Sequence, residues 1–244
     1  MQMDILQEFN YTEHYKIDAD KFDYFEKRFA ATAHDERRVH EYIIANIPKE
    51  ASKLLDVGCG SAWFAQHFLK KNKFVFSLDI SISNPLKATS KYTSEKHFGI
   101  TADSNFLPFQ PDSFDVIVAS EIIEHVVSPE RFITELLRTV KPDGYLIITT
   151  PYKELIKQTL CIHCNNETPV NAHLHSFDEN RLIALSKNNA VKQIIWKTFG
   201  NKVLLFLRTY VILKYLNFRL WKLLDQLFNS IYDAPAHIIV ICKK

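Results

Sequence analysis

The sequence predicts an α/β fold, in which a mostly parallel sheet carries helices on both of its faces. From residue 53 onward, short apolar runs alternate with stretches of helical pattern. Strands that alternate with helices form parallel units, and the connecting helices cover both faces of the sheet. The 244 residues are 47% apolar and 24% charged. That composition is ordinary for one globular domain and excludes a disordered chain.

The first part of the chain follows this alternation closely. Residues 1–50 are rich in aromatic and charged side chains and are interpreted as an N-terminal helical cap. Residues 51–152 are interpreted as the cofactor-binding core, because strand and helix patterns alternate there. Strands are predicted at 53–57, 74–78, 98–100, 114–119 and 145–149, and helices at 61–70, 84–91 and 129–140.

The second part is less regular, but we assign it to the same single domain, 1–244. Residues 153–175 form an insertion that contains cysteine and histidine, within a loop-rich stretch that begins at 151. Ser176 and Glu179 fit a capping box, which predicts a helix from there to about residue 187. A basic and apolar helical insertion follows at 201–229, and strands are predicted at 191–196 and 238–241.

Net charge, hydropathy and the N-terminal residues indicate which partners and which cellular compartment to expect. The net charge is only +2, so no global basic field indicates nucleic-acid binding. The chain has no apolar run of about 18 residues, so no transmembrane helix is expected. Its acidic start lacks the basic and apolar regions of a signal peptide. With four cysteines and no such signal, we expect a reducing compartment, namely the cytoplasm.

The strongest local motif is a glycine turn between a predicted strand and a predicted helix. Gly58 and Gly60 follow the strand, and a dinucleotide-binding turn would need a third glycine where Trp63 stands. Asp56 precedes Gly58 by two residues and can accept hydrogen bonds from an ammonium group, which favours an amine-bearing ligand. Asp79 ends the second strand and is placed to bind ribose hydroxyls. Each feature alone also fits a tight turn with solvated acids.

Asp103 follows the third strand, where it can reach an adenine amino group. Together with residues 54–62, Asp79, 114–125 and 141–144, it resembles the class I S-adenosylmethionine-dependent methyltransferases. The most similar group includes the ubiquinone-pathway O-methyltransferases. The resemblance implies a Rossmann-like seven-stranded sheet whose last strand is antiparallel. It also implies S-adenosylmethionine as cofactor, bound by Asp56, Gly58, Cys59, Gly60, Asp79, Ile80, Asp103, Ser104, Ser120 and Glu121. Ala62 departs from the family, which usually has glycine there.

A carboxylate–histidine cluster follows the fourth strand. Glu121, Glu124 and His125 stand at i, i+3 and i+4, so on a helical turn they would share one face. Two carboxylates and an imidazole suit Mg²⁺ or Mn²⁺, with His175 or His173 as a further ligand. This resembles a Glu-x-x-Glu-His pattern of ubiquinone-pathway and small-RNA-end methyltransferases. Alternatively, the glutamates line the cofactor site and His125, or else His175, is a catalytic base.

A second metal hypothesis concerns the insertion. Cys161 and Cys164 form a Cys-x-x-Cys pair shortly before His173, and such a set can bind Zn²⁺. A reduced, buried cysteine pair is the alternative.

Residues 201–224 carry five Lys or Arg and no acidic residue. On a single helix, four of these cations would fall within about 140° of arc and the rest would be apolar. Such a helix suits a membrane interface or a cover over a lipid-like acceptor. It also suits simple packing on the sheet with solvated cations. Nucleic-acid contact is less favoured.

The sequence therefore predicts a methyltransferase that acts on a small or lipid-like acceptor, at a hydroxyl oxygen. An RNA methyltransferase and a non-catalytic S-adenosylmethionine-binding protein are the alternatives.

Overall fold

A computed structural model describes residues 10–162, 165–187 and 190–244, and within them the chain forms one seven-stranded sheet and one small hairpin. The sheet order is β3-β2-β1-β4-β5-β9-β8, and β6 pairs with β7 in the hairpin. The strands are β1 (Lys53–Val57), β2 (Phe74–Asp79), β3 (His97–Thr101), β4 (Phe114–Ser120), β5 (Val140–Pro151), β6 (Gln158–Leu160), β7 (Glu167–Pro169), β8 (Gln193–Asn201) and β9 (Pro235–Lys243).

Helices cover the sheet and its carboxyl edge. They are α1 (Tyr11–Lys21), α2 (Ala30–Ala45), α3 (Trp63–Leu69), α4 (Ser83–Lys91), α5 (Pro129–Thr139), α6 (Glu179–Ser186), α7 (Lys202–Phe206), α8 (Tyr210–Leu213) and α9 (Phe218–Ile231). Short 3-10 turns lie at Ile123–His125 and Val170–Ala172. In these described ranges, no helix has the length and apolar character needed to cross a bilayer.

The strand directions confirm the predicted mostly parallel sheet. Strands β1 to β5 are mutually parallel, whereas β9 runs antiparallel to both β5 and β8. The sheet is buried on both faces because successive residues of the central strands enter different core clusters. Leu55 and Ile117 belong to the cluster that packs on α5, while Leu54 and Val116 belong to the cluster on α2 and α3.

The N-terminal region divides into two parts. Helix α1 lies over the carboxyl edge of the sheet, where the Tyr15 hydroxyl donates to the His125 carbonyl oxygen at 3.2 Å. Helix α2 packs on a sheet face, with Tyr42 and Ile43 fully buried in the core. Among the described residues of the predicted N-terminal cap, α1 therefore lies over the edge of the sheet, whereas α2 belongs to the core.

The start of α6 differs from the predicted capping box. Its N-cap is Asp178, whose Oδ1 accepts a hydrogen bond from the Arg181 amide at 2.8 Å, and not Ser176. The helix starts later because Phe177 is extended: it forms a bridge with Tyr152 and is almost wholly buried.

The basic, apolar segment at 201–229 is not the single helix predicted from its sequence. It forms three helices, α7 to α9, because Arg208 adopts a left-handed conformation with φ +55° and Asn217 caps a new helix start. The insertion at 153–175 is likewise more ordered than predicted, since it contains the β6–β7 hairpin.

Candidate functional site

The glycine turn joins β1 to α3 at the carboxyl edge of the sheet. The amides of Gly58 and Cys59 both donate to the Leu78 carbonyl oxygen, at 2.8 and 2.9 Å, which fixes the turn against β2. Gly58 has φ +73°, and a Cβ there would stand 2.2 Å from Ile122 Cδ1. The position therefore favours glycine, because the backbone has a positive φ and because a Cβ would displace the Ile122 side chain.

Asp56 is the penultimate residue of β1, just before this turn. Its side chain is buried, and among the described residues its Oδ2 has no hydrogen-bond partner. Burial, and then the nearby charge of Asp79, raise the pKa of the Asp56 carboxyl well above its ordinary value. A buried carboxylate oxygen without a donor is unfavourable, so an ammonium group bound here would supply the partner that Oδ2 lacks. This is the fit expected for the amino-acid part of S-adenosylmethionine.

Asp79 ends the neighbouring strand, β2. Its Oδ1 accepts from the Ser81 amide at 3.1 Å and its Oδ2 from Asn84 Nδ2 at 3.0 Å. Burial raises the pKa of this carboxyl, although the hydrogen bonds oppose the shift. These donors fix both carboxylate oxygens at the end of the strand, beside Ile80.

Asp103 follows β3 and is covered by α1. Its Oδ1 accepts from the Asn105 amide at 2.8 Å, and the Tyr11 hydroxyl donates to its Oδ2. The three aspartates thus lie at the carboxyl ends of three adjacent strands, in the order that the sequence predicts. Ser104 adjoins the last of them.

Glu121 follows β4 and does not lie on a helical turn. Its φ is +55°, and its amide donates to the Thr149 carbonyl oxygen at 2.9 Å. Ser120 Oγ lies 3.1 Å from Thr149 Oγ1, which further ties β4 to β5 here. Because of this bend, Glu121 is turned towards His237 on β9, with 3.3 Å between Oε2 and Nδ1.

His237 is a buried residue of the site that sequence reasoning missed. Its Nε2 lies 2.9 Å from Asp35 Oδ2, on α2. Burial alone would lower the pKa of this imidazole, but Glu121 and Asp35 outweigh burial and raise it to about 10. His237 is therefore an imidazolium at neutral pH. No motif surrounds it in the sequence, so only the fold brings it to the two carboxylates.

Glu124 and His125 follow Glu121 in the chain and belong to the 3-10 turn at Ile123–His125. Thr150 Oγ1 donates to Glu124 Oε2 at 2.9 Å, and burial, then the Glu121 charge, raise the pKa of Glu124 well above its ordinary value. Burial and the adjacent His173 lower the pKa of His125 to about 4. His125 Nδ1 lies 3.3 Å from the Ala172 carbonyl oxygen. That acceptor selects the tautomer with a proton on Nδ1 and a lone pair on Nε2.

The possible metal ligands differ from the predicted set. Glu124, His125 and His173 present donor atoms that all lie within 4.8 Å of one another. Glu121 is turned away to His237 by its backbone bend. His175 is also outside this group, because its Nδ1 lies 3.2 Å from the Arg181 guanidinium. Of the predicted ligands, Glu124, His125 and His173 (the alternative to His175) therefore converge, whereas Glu121 and His175 do not join them.

The zinc hypothesis stays a prediction. Cys161 is partly buried, and Cys164 lies outside the described residues. The ring of His173 lies 4.7 Å from that of His125, centroid to centroid, and its Nδ1 contacts Glu154 Oε2. His173 is therefore directed to the carboxylate–histidine cluster.

Known proteins provide independent evidence of kinship. A family model described as a methyltransferase domain matches residues 24–189. A mitochondrial arginine hydroxylase of Homo sapiens is 34% identical over 129 residues, which cover 52% of this chain and 34% of that protein. A ubiquinone biosynthesis O-methyltransferase of Rickettsia akari is 34% identical over 114 residues, 45% of either chain. This chain thus spans between a third and a half of the length of these two relatives.

A solved structure supports the fold. Phosphoethanolamine N-methyltransferase 2 of Haemonchus contortus, in complex with S-adenosyl-L-methionine, matches with a TM-score of 0.60 at 15% identity. The match covers 94% of this chain and 60% of the other. At that identity the likeness shows the fold alone, and it confirms the predicted Rossmann-like sheet.

Proposed function

Because this chain belongs to the methyltransferase-domain family, and to its class I S-adenosylmethionine-dependent type, we propose that it transfers a methyl group to a hydroxyl oxygen of a small or lipid-like acceptor. The observation that carries the cofactor assignment is the buried Asp56 side chain, whose Oδ2 has no donor among the described residues, beside a turn in which Gly58 has a positive φ and little room for a Cβ. The assignment of a hydroxyl acceptor rests on the cluster of Glu124, His125 and His173.

The chain's residues have separate tasks in binding the cofactor. Asp56 would receive the ammonium group, Asp79 the ribose hydroxyls and Asp103 the adenine amino group. Gly58 and Gly60 let the backbone approach the ligand closely. S-adenosylmethionine supplies a sulfonium-activated methyl group when bound. Much of the rate then comes from holding the acceptor in line.

His125 is the proposed catalytic base. Its pKa, lowered to about 4, keeps it neutral at physiological pH but also makes it a weak base. Its Nε2 lone pair would therefore take the hydroxyl proton as the methyl group is transferred, when that proton becomes strongly acidic. Tyr15 packs edge-on against this ring, with 5.7 Å between ring centroids, and helps to exclude water. His175, held by Arg181, is the second candidate for the base.

A divalent cation is a second candidate for the role of the cluster. The observation that favours it is the convergence of Glu124, His125 and His173 within 4.8 Å. One carboxylate and two imidazoles suit Mn²⁺ or Zn²⁺ better than Mg²⁺, which prefers oxygen ligands. In that case His125 would be a ligand, and the cluster would orient the acceptor hydroxyl instead of removing its proton.

The test begins with binding. Calorimetric titration with S-adenosylmethionine and S-adenosylhomocysteine, with NAD as control, is expected to show binding of the two sulfur nucleotides alone. An acceptor screen with a radiolabelled methyl donor follows, in EDTA and then with Mn²⁺. Label in a hydroxylated small molecule or lipid would support the proposal. Label in RNA would overturn the acceptor assignment, and cofactor binding without any labelled product would favour the non-catalytic alternative.

The similarity to an arginine hydroxylase makes it necessary to identify the labelled product. Its name describes arginine hydroxylation, so a bound cofactor alone does not establish methyl transfer in this chain.

A further inference from the structure

The helices between β8 and β9 present an apolar stripe to solvent. On α9, Leu220, Leu223, Leu227 and Ile231 are 45%, 64%, 54% and 74% exposed. Their spacing of three, four and four residues places them within about 80° of arc on one side of the helix. This stripe is separate from the side of α9 that holds Trp221 and Asp225, which are buried in the protein. The helix therefore packs on the protein with one side and presents apolar side chains to solvent on another.

The segment before α9 exposes further large apolar side chains. Phe206, Ile212 and Tyr215 on and around α7 and α8 are each more than two-thirds exposed. We call the surface formed by these residues and the α9 stripe the docking surface. An exposed apolar area of this kind marks an interaction site more often than a free surface.

Within residues 201–224 the charged side chains have one sign, and the exposed acidic residue that follows, Asp233, lies beyond the end of α9. Lys202, Arg208, Lys214 and Arg219 are exposed, and residues 201–224 contain no Asp or Glu. The first acidic residue after them, Asp225, is buried and accepts hydrogen bonds from the amides of Gly200 and Asn201. Its charge is therefore directed into the protein and does not offset the surface cations.

The topology places the docking surface beside the candidate site. Strand β8 is parallel to β1, since both β8 and β5 run antiparallel to β9. It therefore ends, at Asn201, on the same edge of the sheet as the glycine turn. Lys202 Nζ contacts the Tyr152 carbonyl oxygen at 3.3 Å, next to the end of β5.

We propose that the docking surface binds an anionic lipid membrane, with the α9 stripe among the acyl chains and the Lys and Arg side chains at the headgroups. Apolar residues flanked by cations are what an interfacial helix needs. A second copy of this chain fits less well, because a two-fold contact would bring the same cations together. A nucleic acid would use the cations but not the leucine stripe. The proposal goes beyond methyl transfer, and its test needs no activity.

The experiment is co-sedimentation of the full chain with vesicles, without cofactor. Binding is expected to vesicles of equal parts phosphatidylglycerol and phosphatidylcholine, to weaken in high salt, and to be absent with phosphatidylcholine alone. Leu227→Glu is expected to weaken vesicle binding by about tenfold or more, since it places a carboxylate among the acyl chains. The matched control is Leu86→Glu on α4, where the leucine is similarly exposed at 57% and binding should not change.

Circular dichroism and S-adenosylmethionine binding establish that each variant is folded. Failure of the wild-type protein to bind anionic vesicles would overturn the proposal. Equal binding by the Leu227→Glu and Leu86→Glu variants would do the same, because the stripe would then play no part. A dimer that Leu227→Glu converts to a monomer, seen by light scattering, would assign the surface to a second copy instead.

Discussion

His237 Nδ1 lies 3.3 Å from Glu121 Oε2, and the opposite nitrogen of the same ring lies 2.9 Å from Asp35 Oδ2. One imidazolium thus joins the start of β9 to the end of β4 and to helix α2. Glu121 belongs to the expected cofactor site. Among the described residues its Oε1 has no hydrogen-bond partner, so the ion pair of Oε2 with His237 is the side-chain contact that fixes the carboxylate. His237 is therefore a positioning residue: it holds the Glu121 carboxylate that borders the site.

This pair gives the folded protein a specific pH dependence. The pKa of His237 is about 10 in the folded chain against an ordinary 6.5, so the folded state retains a proton that the unfolded state loses. The stabilisation is complete below about pH 6.5 and is lost as pH rises through about 10. We expect His237→Gln to remove about 1–3 kcal/mol of unfolding free energy near neutrality and to flatten this decline, as measured by urea unfolding at several pH values.

His67→Gln is the control for that experiment. Burial lowers the pKa of His67 below its ordinary value. This residue therefore loses its proton at lower pH than His237, and its replacement should leave the decline at alkaline pH in place. An undiminished decline in His237→Gln would contradict the assignment of the proton to His237.

Sequence and structure agree where the place of each residue follows from the sequence pattern immediately around it. Asp56, Asp79 and Asp103 each follow a short apolar run, so their common edge follows from parallel strand order alone. The pairing of Glu121 with His237 joins residues that are far apart in sequence, and no local pattern contains it. The predicted metal set included Glu121 because a helical turn was assumed, whereas its left-handed backbone is set by the contact with β5.

Asp56→Asn is expected to raise the stability of the ligand-free protein and to weaken the binding of S-adenosylmethionine. The raised pKa of Asp56 means that its ionisation destabilises the folded chain, progressively as pH rises above about 3.8. Removing the charge should therefore stabilise the ligand-free protein at neutral pH by about 1–3 kcal/mol. The same change should weaken S-adenosylmethionine binding by about tenfold to a hundredfold, because the ammonium loses its charged partner. Urea unfolding and calorimetric titration measure the two effects, and a destabilised variant would contradict the first.

Gly58→Ala is expected to disrupt the turn. Gly60→Ala, in the same turn, is expected to destabilise the protein less. A Cβ at Gly58 would stand 2.2 Å from Ile122 Cδ1, while the nearest atom at Gly60 would be 3.5 Å away. Both residues have positive φ, so the difference between the variants isolates the steric clash. We expect a loss of about 2–4 kcal/mol for Gly58→Ala and about 1 kcal/mol for Gly60→Ala. Adding Ile122→Ala should recover stability only in the Gly58 variant, and equal recovery in both would exclude the clash as cause.

His125 and His173 give the decisive comparison for the chemistry of the cluster. If His125 is the base, His125→Asn should lower kcat by about 10²–10⁴-fold and leave cofactor affinity nearly unchanged, because no cofactor-binding aspartate is altered. His173→Asn should then have an effect of less than about tenfold, since His173 contacts the ring of His125 and would not touch the acceptor proton. Rates in EDTA should equal those with added Mn²⁺. Equal losses in both variants, with activity that EDTA removes and Mn²⁺ restores, would contradict the base assignment. That result would make Glu124, His125 and His173 the ligands of a catalytic cation.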